Sequence, residues 1–311
     1  MLETLKGILT IILITIVNVE FIIGILGNAF MAVVNIIDWL KSGKISAVDK
    51  IHIALAFSRT VHMLLLILSF SIVLFRQDSL QMKIAIRMHS NSWTVTNHFN
   101  VWFATCLSIF YFLKIANFSN STFLALKRNV NKVVSVTLVV SLIILLINII
   151  FINIIVDSLE ESILQRSSSN NTVKVQSLLL LNTMFTLIPF AASLTMLLLL
   201  VLSLWRHLKN MNHSATGSRD VSTVAHIKSL KTVFTFLLLY TVFVMSFLLQ
   251  SLAFSSKHRN IIILFLWSIE TAFPSGHSCA LILGNSKLRQ AFLSVLWWVR
   301  RKCKCTENWA P

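Results

Sequence analysis

Seven long and nearly uncharged apolar runs constrain this chain more than any other feature of its sequence. A helix needs about 20 mostly apolar residues to cross the hydrocarbon core of a membrane. Only helices or closed barrels satisfy the backbone in lipid, and these runs are too long and too uniformly apolar for barrel strands. The sequence therefore predicts an all-α membrane protein, a seven-transmembrane helix bundle. Its spans are approximately 7–37, 51–75, 88–113, 133–156, 175–205, 232–256 and 260–286.

The scarcity of charge also indicates a chain that faces lipid. Charged residues make up 12% of the sequence and apolar residues 56%, whereas a soluble domain carries about 25% charged residues. The first apolar run is too long for a cleaved signal peptide, and no small-residue cleavage site closes it. We therefore expect one seven-transmembrane domain over 1–311.

Basic residues are distributed unequally between the two sets of connecting loops. The segments 38–50, 114–132, 206–231 and 287–311 together hold 18 Lys and Arg, and the alternate set holds 8. Because cytoplasmic loops are enriched in these residues, the N-terminus is expected outside and the C-terminus in the cytosol of a multi-pass plasma-membrane protein. The net charge of +16 then lies mainly on the cytosolic face, where it suits anionic membrane lipid or an acidic protein rather than nucleic acid.

The segment after the seventh span carries apolar residues at helical spacing beside basic ones. It predicts a short amphipathic helix over 287–300 that lies in the inner membrane interface. A generic anchor and a contact with a cytosolic partner both remain open for it. Cys303 and Cys305 follow and are either palmitoylated or free thiols.

Two expectations concern the outer loops. Asn170 begins the sequon Asn170-Asn171-Thr172 in the longest outer loop, so it is the predicted glycosylation site. The outer loops contain no cysteine, and no extracellular disulfide is therefore expected.

Arg59 is the clearest polar feature inside a predicted span. A charged side chain at mid-bilayer costs about 2.5–3.5 kcal/mol on insertion scales, so it must face the bundle interior and find partners. We predict that Arg59 forms a structural polar clamp with Asn28 and groups near Ser278, which joins spans 1, 2 and 7. Direct contact with a ligand is the alternative.

A second group of residues lies in the half of the bundle expected to face outward. Trp93 and Asn97 are four residues apart on one face of span 3, which makes them a plausible small-molecule contact or, alternatively, an interfacial aromatic and an interhelical hydrogen bond. Span 6 carries an aromatic stripe that includes Phe243 and Phe247, and a stripe of this kind more often serves packing than a pocket.

Span 7 adds Trp267 and Glu270, three residues apart on one face. Glu270 has no basic residue near it in sequence. Three roles are open for it: pairing with Arg59, contact with a cationic ligand, or protonation by burial.

Several functions are disfavoured by what the sequence lacks. It contains no GxGxxG, P-loop or HExxH motif, and no constellation of catalytic or metal-ligating residues; His277 stands alone. No lysine lies in span 7 to form a retinal Schiff base. We therefore expect neither an enzyme nor a cofactor or metal site. Similar halves, as in many transporters, are not seen either.

Motifs across nearly the whole chain carry a resemblance to one receptor family. They are EFIIGILGN at 20–28, DW at 38–39, KISAVD at 44–49, LAFSR at 55–59, FYFLKIANFSN at 110–120, PF at 189–190, GSRD at 217–220, AH at 225–226, PSGHS at 274–278 and LILGNSKL at 281–288. The chain resembles the bitter taste receptors, or type 2 taste receptors, which are G-protein-coupled receptors.

The resemblance implies a chemosensory receptor for bitter small molecules that signals through a heterotrimeric G protein of the gustducin type. It places the ligand pocket between spans 3, 5, 6 and 7, at Trp93, Asn97, Phe243, Phe247 and Trp267. Many relatives have an acidic residue where this chain has Trp267, and Glu270 lies one turn deeper. The residues expected to face the G protein are Lys114, Lys127, Arg128, Arg206 and Lys231. A pheromone-type chemosensory receptor and a seven-helix transporter or channel are the rival functions.

Overall fold

The structure is a computed structural model that describes residues 2–75, 79–164, 168–214, 221–253 and 259–307. Within these ranges the chain forms helices and no strand. The helices are α1 (Leu2–Ser42), α2 (Ala47–Phe75), α3 (Ser79–Ile115), α4 (Ser121–Arg128), α5 (Val130–Leu164), α6 (Ser168–Ser214), α7 (Val221–Ala253), α8 (Arg259–Gly284) and α9 (Ser286–Glu307).

The predicted seven-transmembrane bundle is confirmed. Spans 1 to 3 correspond to α1, α2 and α3, and spans 4 to 7 correspond to α5, α6, α7 and α8. Among the described residues, all of these helices except α8 are long and apolar enough to cross a membrane by length and composition alone. The 26-residue α8 is interrupted by polar residues, and it packs between α1 and α7 to complete the bundle.

Helix α3 lies at the centre of the bundle and α1 at its edge. In the apolar stretch of α3, 67% of the residues are buried, whereas the corresponding share for α1 is 11%. Helix α3 packs against α2, α5 and α6. Because α3 contacts so many neighbours, its polar side chains are the ones that can meet partners from several helices.

A close helix contact and a tight turn depend on glycines at two positions. A Cβ at Gly24 would overlap Met63 of α2 and Ser275 of α8, so this glycine lets α1 approach both helices. Gly43 follows α1 with φ of 66° and its amide donates to the carbonyl of Trp39 at 2.9 Å. A left-handed residue of this kind commonly ends a helix, and glycine adopts it without strain.

The short helix α4 lies in a segment that the sequence pattern leaves as a loop. The side chain of Asn120 caps it by accepting a hydrogen bond from the amide of Thr122, as is usual for a helix N-terminus. Phe123 of α4 is buried and packs edge-on against Phe112 of α3. Since α4 contains only 8 residues, it needs tertiary packing such as that of Phe123 to be stable.

Helix α9 is attached to the bundle at its first turns. Leu288 is fully buried, and the ammonium of Lys287 donates to Asp38 of α1 at 2.8 Å and to Asp49 of α2 at 2.9 Å. Burial alone would lower the pKa of Lys287, but its bonds to the two carboxylates outweigh this and raise it. The end of the bundle that carries α9 is termed the α9 end.

The rest of α9 extends past these contacts. The helix ends at Glu307 rather than at the predicted residue 300. All described side chains from Leu293 to Lys302 are exposed, and Arg301 lies over the ring of Trp297 at 4.2 Å. The side chains of Cys303 and Cys305 lie outside the described residues.

Candidate functional site

The centre of the bundle contains a polar group around Arg59, which is fully buried. Its Nε donates to Oδ1 of Asn100 and its Nη1 to Oγ of Ser278, both at 2.9 Å. Its Nη2 makes a short contact with Nδ1 of His277. The guanidinium therefore joins α2 to α3 and α8, and each of its three kinds of nitrogen has a partner.

Asn28 belongs to the same group through Ser278. The hydroxyl of Ser278 donates to Oδ1 of Asn28 at 2.7 Å, and Nδ2 of Asn28 donates to the carbonyl of Gly24 at 2.7 Å. The structure thus brings Asn28, Arg59 and Ser278 together, with the serine as the link between the other two. The five residues Asn28, Arg59, Asn100, His277 and Ser278 are termed the Arg59 group.

Sequence reasoning missed Asn100 and His277 as members of this group. Both are polar residues inside an apolar span, which is a usable signal, and His277 directly precedes Ser278. Pairing with Arg59 was one of the three roles open for Glu270. The structure disfavours it, because the hydrogen bonds of the guanidinium go to Asn100, His277 and Ser278 instead.

A second region lies nearer the end of the bundle opposite α9. Trp93 of α3 is half-buried and packs edge-on against Phe247 of α7, with ring centroids 5.4 Å apart. Phe247 in turn contacts Phe243 at 4.8 Å. The structure therefore places Trp93 and the two phenylalanines in one aromatic contact between α3 and α7.

The side chain of Asn97 is directed toward α6. Its Nδ2 donates to Oγ1 of Thr186 at 3.3 Å, and one turn away Thr94 donates to Oδ1 of Asn182, also at 3.3 Å. These four side chains are buried. Both bonds are long for hydrogen bonds of their kinds, so a small displacement between α3 and α6 would break them.

A column of aromatic rings connects this second region to the Arg59 group. Phe243 stacks on Phe273 of α8 at 4.4 Å, and Phe273 lies 5.9 Å from both Arg59 and His277. Tyr240 stacks on the same Phe273 ring at 5.3 Å. The rings therefore form a continuous packed column along the bundle.

Glu270 and Trp267 are not part of the aromatic contact. Glu270 is half-buried, and its carboxylate accepts a hydrogen bond from Nε2 of Gln250 on α7 at 3.0 Å. Trp267 is 40% exposed, and the ring contacts found among the described residues do not include it. The structure therefore links Glu270 to α7 but leaves Trp267 on the outside of α8.

A cavity of about 300 Å³ lies toward the α9 end, between α3, α6, α7 and α8. Tyr111 and Ile115 of α3, Leu197 of α6, Phe236 of α7 and Leu281 of α8 are among the residues that line it. None of the residues predicted to bind a ligand lines this cavity. Its volume is at the lower limit of typical small-molecule pockets.

The basic residues predicted to face a G protein differ in their surroundings. Lys114, Arg128 and Arg206 are exposed. Lys127 donates to the carbonyl of Ala116 at 2.8 Å, so it fastens α4 to the end of α3. Lys231 lies in α7, and its side chain is outside the described residues. Asn170 lies in the first turn of α6, and its side chain is likewise outside them.

The described residues contain no group of three or more His, Cys, Asp or Glu side chains placed to hold a metal ion. The chemistry of the regions above is that of aromatic contacts, amide and hydroxyl groups, and buried charge.

A seven-helix bundle with a central cation, an aromatic and amide region toward one end and a cavity toward the other places the chain among the seven-helix membrane proteins. Comparison with known proteins identifies which kind. A family model described as Taste receptor protein (TAS2R) matches residues 1–300. The chain belongs to this family, the type 2 taste receptors, which are G-protein-coupled receptors.

Curated relatives match the chain along its length. Taste receptor type 2 member 103 of Mus musculus is 64% identical, with all of both chains covered, and the Rattus norvegicus protein of the same name is 62% identical over the same extent. Taste receptor type 2 member 14 of Macaca mulatta is 50% identical, with 96% of this chain and 94% of its own covered. The family resemblance read from the motifs is thereby confirmed.

Proposed function

We propose that this protein is a receptor for bitter small molecules that activates a heterotrimeric G protein of the gustducin type. The observation that carries the proposal is the match of residues 1–300 to the taste receptor family. We further propose that it resides in the plasma membrane, with its N-terminus extracellular and its C-terminus cytosolic, and that Asn170 is glycosylated.

The proposed agonist site lies where α3 faces α7 and α6. Trp93, Phe243 and Phe247 supply aromatic surface there, and Asn97 supplies an amide. Apolar surface with a few polar groups is the usual composition of a small-molecule site. An agonist that lies between Trp93 and Phe247 would separate rings that now touch, and it would compete with Thr186 for the amide of Asn97.

Glu270 and Trp267 have different roles in the proposed site. Glu270 is bonded to Gln250 of α7, so a cationic agonist that reaches α7 could exchange that neutral partner for an ion pair. Trp267 is exposed on α8, and we propose that it contributes at the rim only.

The proposed G-protein site is at the α9 end. The cavity there is lined mainly by apolar side chains. The basic residues predicted to face the G protein belong to α4 and to three of the helices that line the cavity, α3, α6 and α7; they are Lys114, Lys127, Arg128, Arg206 and Lys231. A basic rim favours a partner with acidic residues. Anionic membrane lipid is the second proposed partner of this face, through the exposed basic residues of α9.

An agonist changes the equilibrium between two arrangements of the bundle only if it binds one of them better. The aromatic column from Phe247 through Phe243 and Phe273 to His277 supplies a route by which the agonist site and the cavity bias each other. This route is part of the proposal.

Expression of the chain with a promiscuous G protein, followed by a screen of bitter compounds for calcium release, tests the proposed function. A calcium response that requires the receptor and the G protein supports it. Ligand-independent ion flux would point to a channel or transporter instead. Responses confined to pheromone-type compounds would point to another chemosensory receptor. Replacement of the promiscuous protein by gustducin then tests the coupling.

A further inference from the structure

An ionic cluster joins α3 to α5 at the end of the bundle opposite α9. The guanidinium of Arg87 on α3 donates to both carboxylate oxygens of Glu160 on α5. Its Nε donates to Oε1 at 3.0 Å and its Nη2 to Oε2 at 2.8 Å. Nη2 also donates to Oδ1 of Asp157 at 2.6 Å. Bidentate arginine–carboxylate pairs fix geometry as well as adding energy.

One turn further along the same face of α3, two amides bind each other. Nδ2 of Asn91 donates to Oδ1 of Asn153 at 3.1 Å, and Nδ2 of Asn153 donates back to Oδ1 of Asn91 at 3.0 Å. Residues four apart share a helix face, so Arg87 and Asn91 present one continuous polar edge to α5. These five residues, Arg87, Asn91, Asn153, Asp157 and Glu160, are termed the α3–α5 clasp.

The end of α5 is also bonded to α6. The ammonium of Lys174 donates to the carbonyl of Ser158, and Oγ of Ser162 donates to Oδ1 of Asn171 at 2.6 Å. The last turns of α5 therefore hold α3 on one side and α6 on the other. Through α5, the clasp therefore adds to the direct packing of α3 on α6 in fixing the separation of these two helices.

That separation matters at the next turns of α3. There Thr94 and Asn97 reach Asn182 and Thr186 of α6 at 3.3 Å in both cases, close to the limit of a hydrogen bond. Trp93 lies between the clasp and Asn97 on the same helix. A change in the position of α3 would move Trp93 and Asn97 together relative to α6 and α7.

We infer that the α3–α5 clasp positions Trp93 and Asn97 for agonist binding, and that Arg87 and Glu160 are positioning residues of the receptor. The clasp is a non-covalent fastening of α3 to the following outer segment in a chain whose outer loops contain no cysteine. The inference rests on the proposed agonist site, since it assigns the clasp a role in affinity and not only in folding.

The test is a double-mutant cycle on the full-length receptor, with Arg87→Ala, Glu160→Ala and both changes together. Two quantities are measured for each variant. The first is the melting temperature in phosphatidylcholine nanodiscs, which needs no agonist. The second is the dose–response curve for the compound that gives the strongest calcium response in the screen, with surface expression measured in parallel.

Each single change is expected to raise the half-maximal concentration about three- to tenfold, because a smaller fraction of the receptor then holds the binding-competent arrangement. The maximal response at equal surface expression should not change. The double variant should be no worse than either single variant. Lys83→Ala is the matched control, because it removes a cation one turn before Arg87 on α3 and should leave the curve unchanged.

The charge swap Arg87→Glu with Glu160→Arg is expected to recover most of the lost potency and of the lost melting temperature.

Additive effects in the double variant, or an Arg87→Ala curve that matches the Lys83→Ala curve, would overturn the inference. So would a loss of surface expression with unchanged potency, since that assigns the clasp to folding alone. If no compound elicits a response, the proposed function fails, while a coupled loss of melting temperature still identifies the clasp as a fastening.

Discussion

The Arg59 group and the region around Trp93 and Asn97 are both polar and both lie inside the bundle, yet they are built differently. Arg59 is fully buried, and three nitrogens of its side chain have partners, with the hydrogen bonds to Asn100 and Ser278 at 2.9 Å. In contrast, Asn97 has one interhelical partner at 3.3 Å, and Trp93 is only half-buried.

The Arg59 group is therefore a structural contact, whereas the region around Trp93 and Asn97 is a site where a ligand can replace existing hydrogen bonds. A buried charge that loses a partner incurs its full desolvation cost, so the Arg59 group should tolerate little change. A long amide–hydroxyl bond is weak, so a ligand can replace it at low cost. We therefore expect substitutions in the Arg59 group to reduce the amount of folded receptor, and substitutions around Trp93 to change agonist potency.

The largest effect is expected from Arg59→Lys. Lysine cannot reproduce the planar fork that reaches Asn100 and Ser278 together, and loss of two hydrogen bonds from a charged donor costs about 3 kcal/mol. Surface expression and the melting temperature of the purified receptor should both fall sharply. Arg206→Lys, at an exposed position, is the control for these two readouts only, since Arg206 belongs to the proposed G-protein site. Normal expression and normal signalling of Arg59→Lys would show that the clamp does not depend on the guanidinium.

A smaller loss of stability is expected from Ser278→Ala. The change leaves Oδ1 of Asn28 and one nitrogen of Arg59 without the hydroxyl between them, and an unsatisfied buried polar group costs about 1–3 kcal/mol. The measurement is the melting temperature, with potency at equal surface expression as the second readout. Ser294→Ala is the matched control, since Ser294 is exposed and its hydroxyl donates to the carbonyl of Gln290 within its own helix. Equal melting temperatures for the two variants would remove Ser278 from the clamp.

Trp93→Ala is expected to change potency rather than folding. Removing the ring that contacts Phe247 should raise the half-maximal agonist concentration about tenfold, which corresponds to about 1.4 kcal/mol of binding energy. Surface expression should be preserved. Trp205→Ala, at a ring that is 62% exposed on α6, controls for the loss of a tryptophan. An unchanged dose–response curve would exclude Trp93 from the agonist site.

The smallest effect is expected from Thr186→Val, which keeps the shape of the side chain and removes its acceptor for Asn97. A neutral hydrogen bond contributes about 0.5–1.5 kcal/mol, and an agonist that uses the freed amide offsets part of this. Potency should therefore change by no more than about fivefold. Thr195→Val on the same helix, where the hydroxyl donates to the carbonyl of Ala191 within that helix, is the control. A complete loss of response would show that this bond belongs to the fastening and not to the exchangeable site.

The spans could be predicted because hydropathy accumulates over about 20 residues, and single polar residues such as Glu20 or Arg59 do not erase it. The helix ends could not, since α6 continues to Ser214, well past the apolar run. Helix α4 was missed because its 8 residues have no long pattern, and only the capping Asn120 and the buried Phe123 indicate it.

The candidate site was predictable by residue type and not by partner. A cation inside a span requires polar neighbours, and this gave the Arg59 clamp. Which side chains reach it depends on the rotation of each helix, so Asn100 and His277 went unassigned. The same uncertainty applies to Trp267, whose spacing from Glu270 places it on one face while the packing leaves it exposed. The cavity at the α9 end depends on the packing of four helices, which no local pattern encodes.

The proposed receptor function requires a chain that crosses the membrane an odd number of times. Epitope tags at the two termini, probed by antibody on intact and then on permeabilised cells, test this directly. We expect labelling of the N-terminal tag on intact cells and of the C-terminal tag only after permeabilisation. Labelling of both tags, or of neither, on intact cells in which the receptor is at the surface would contradict it.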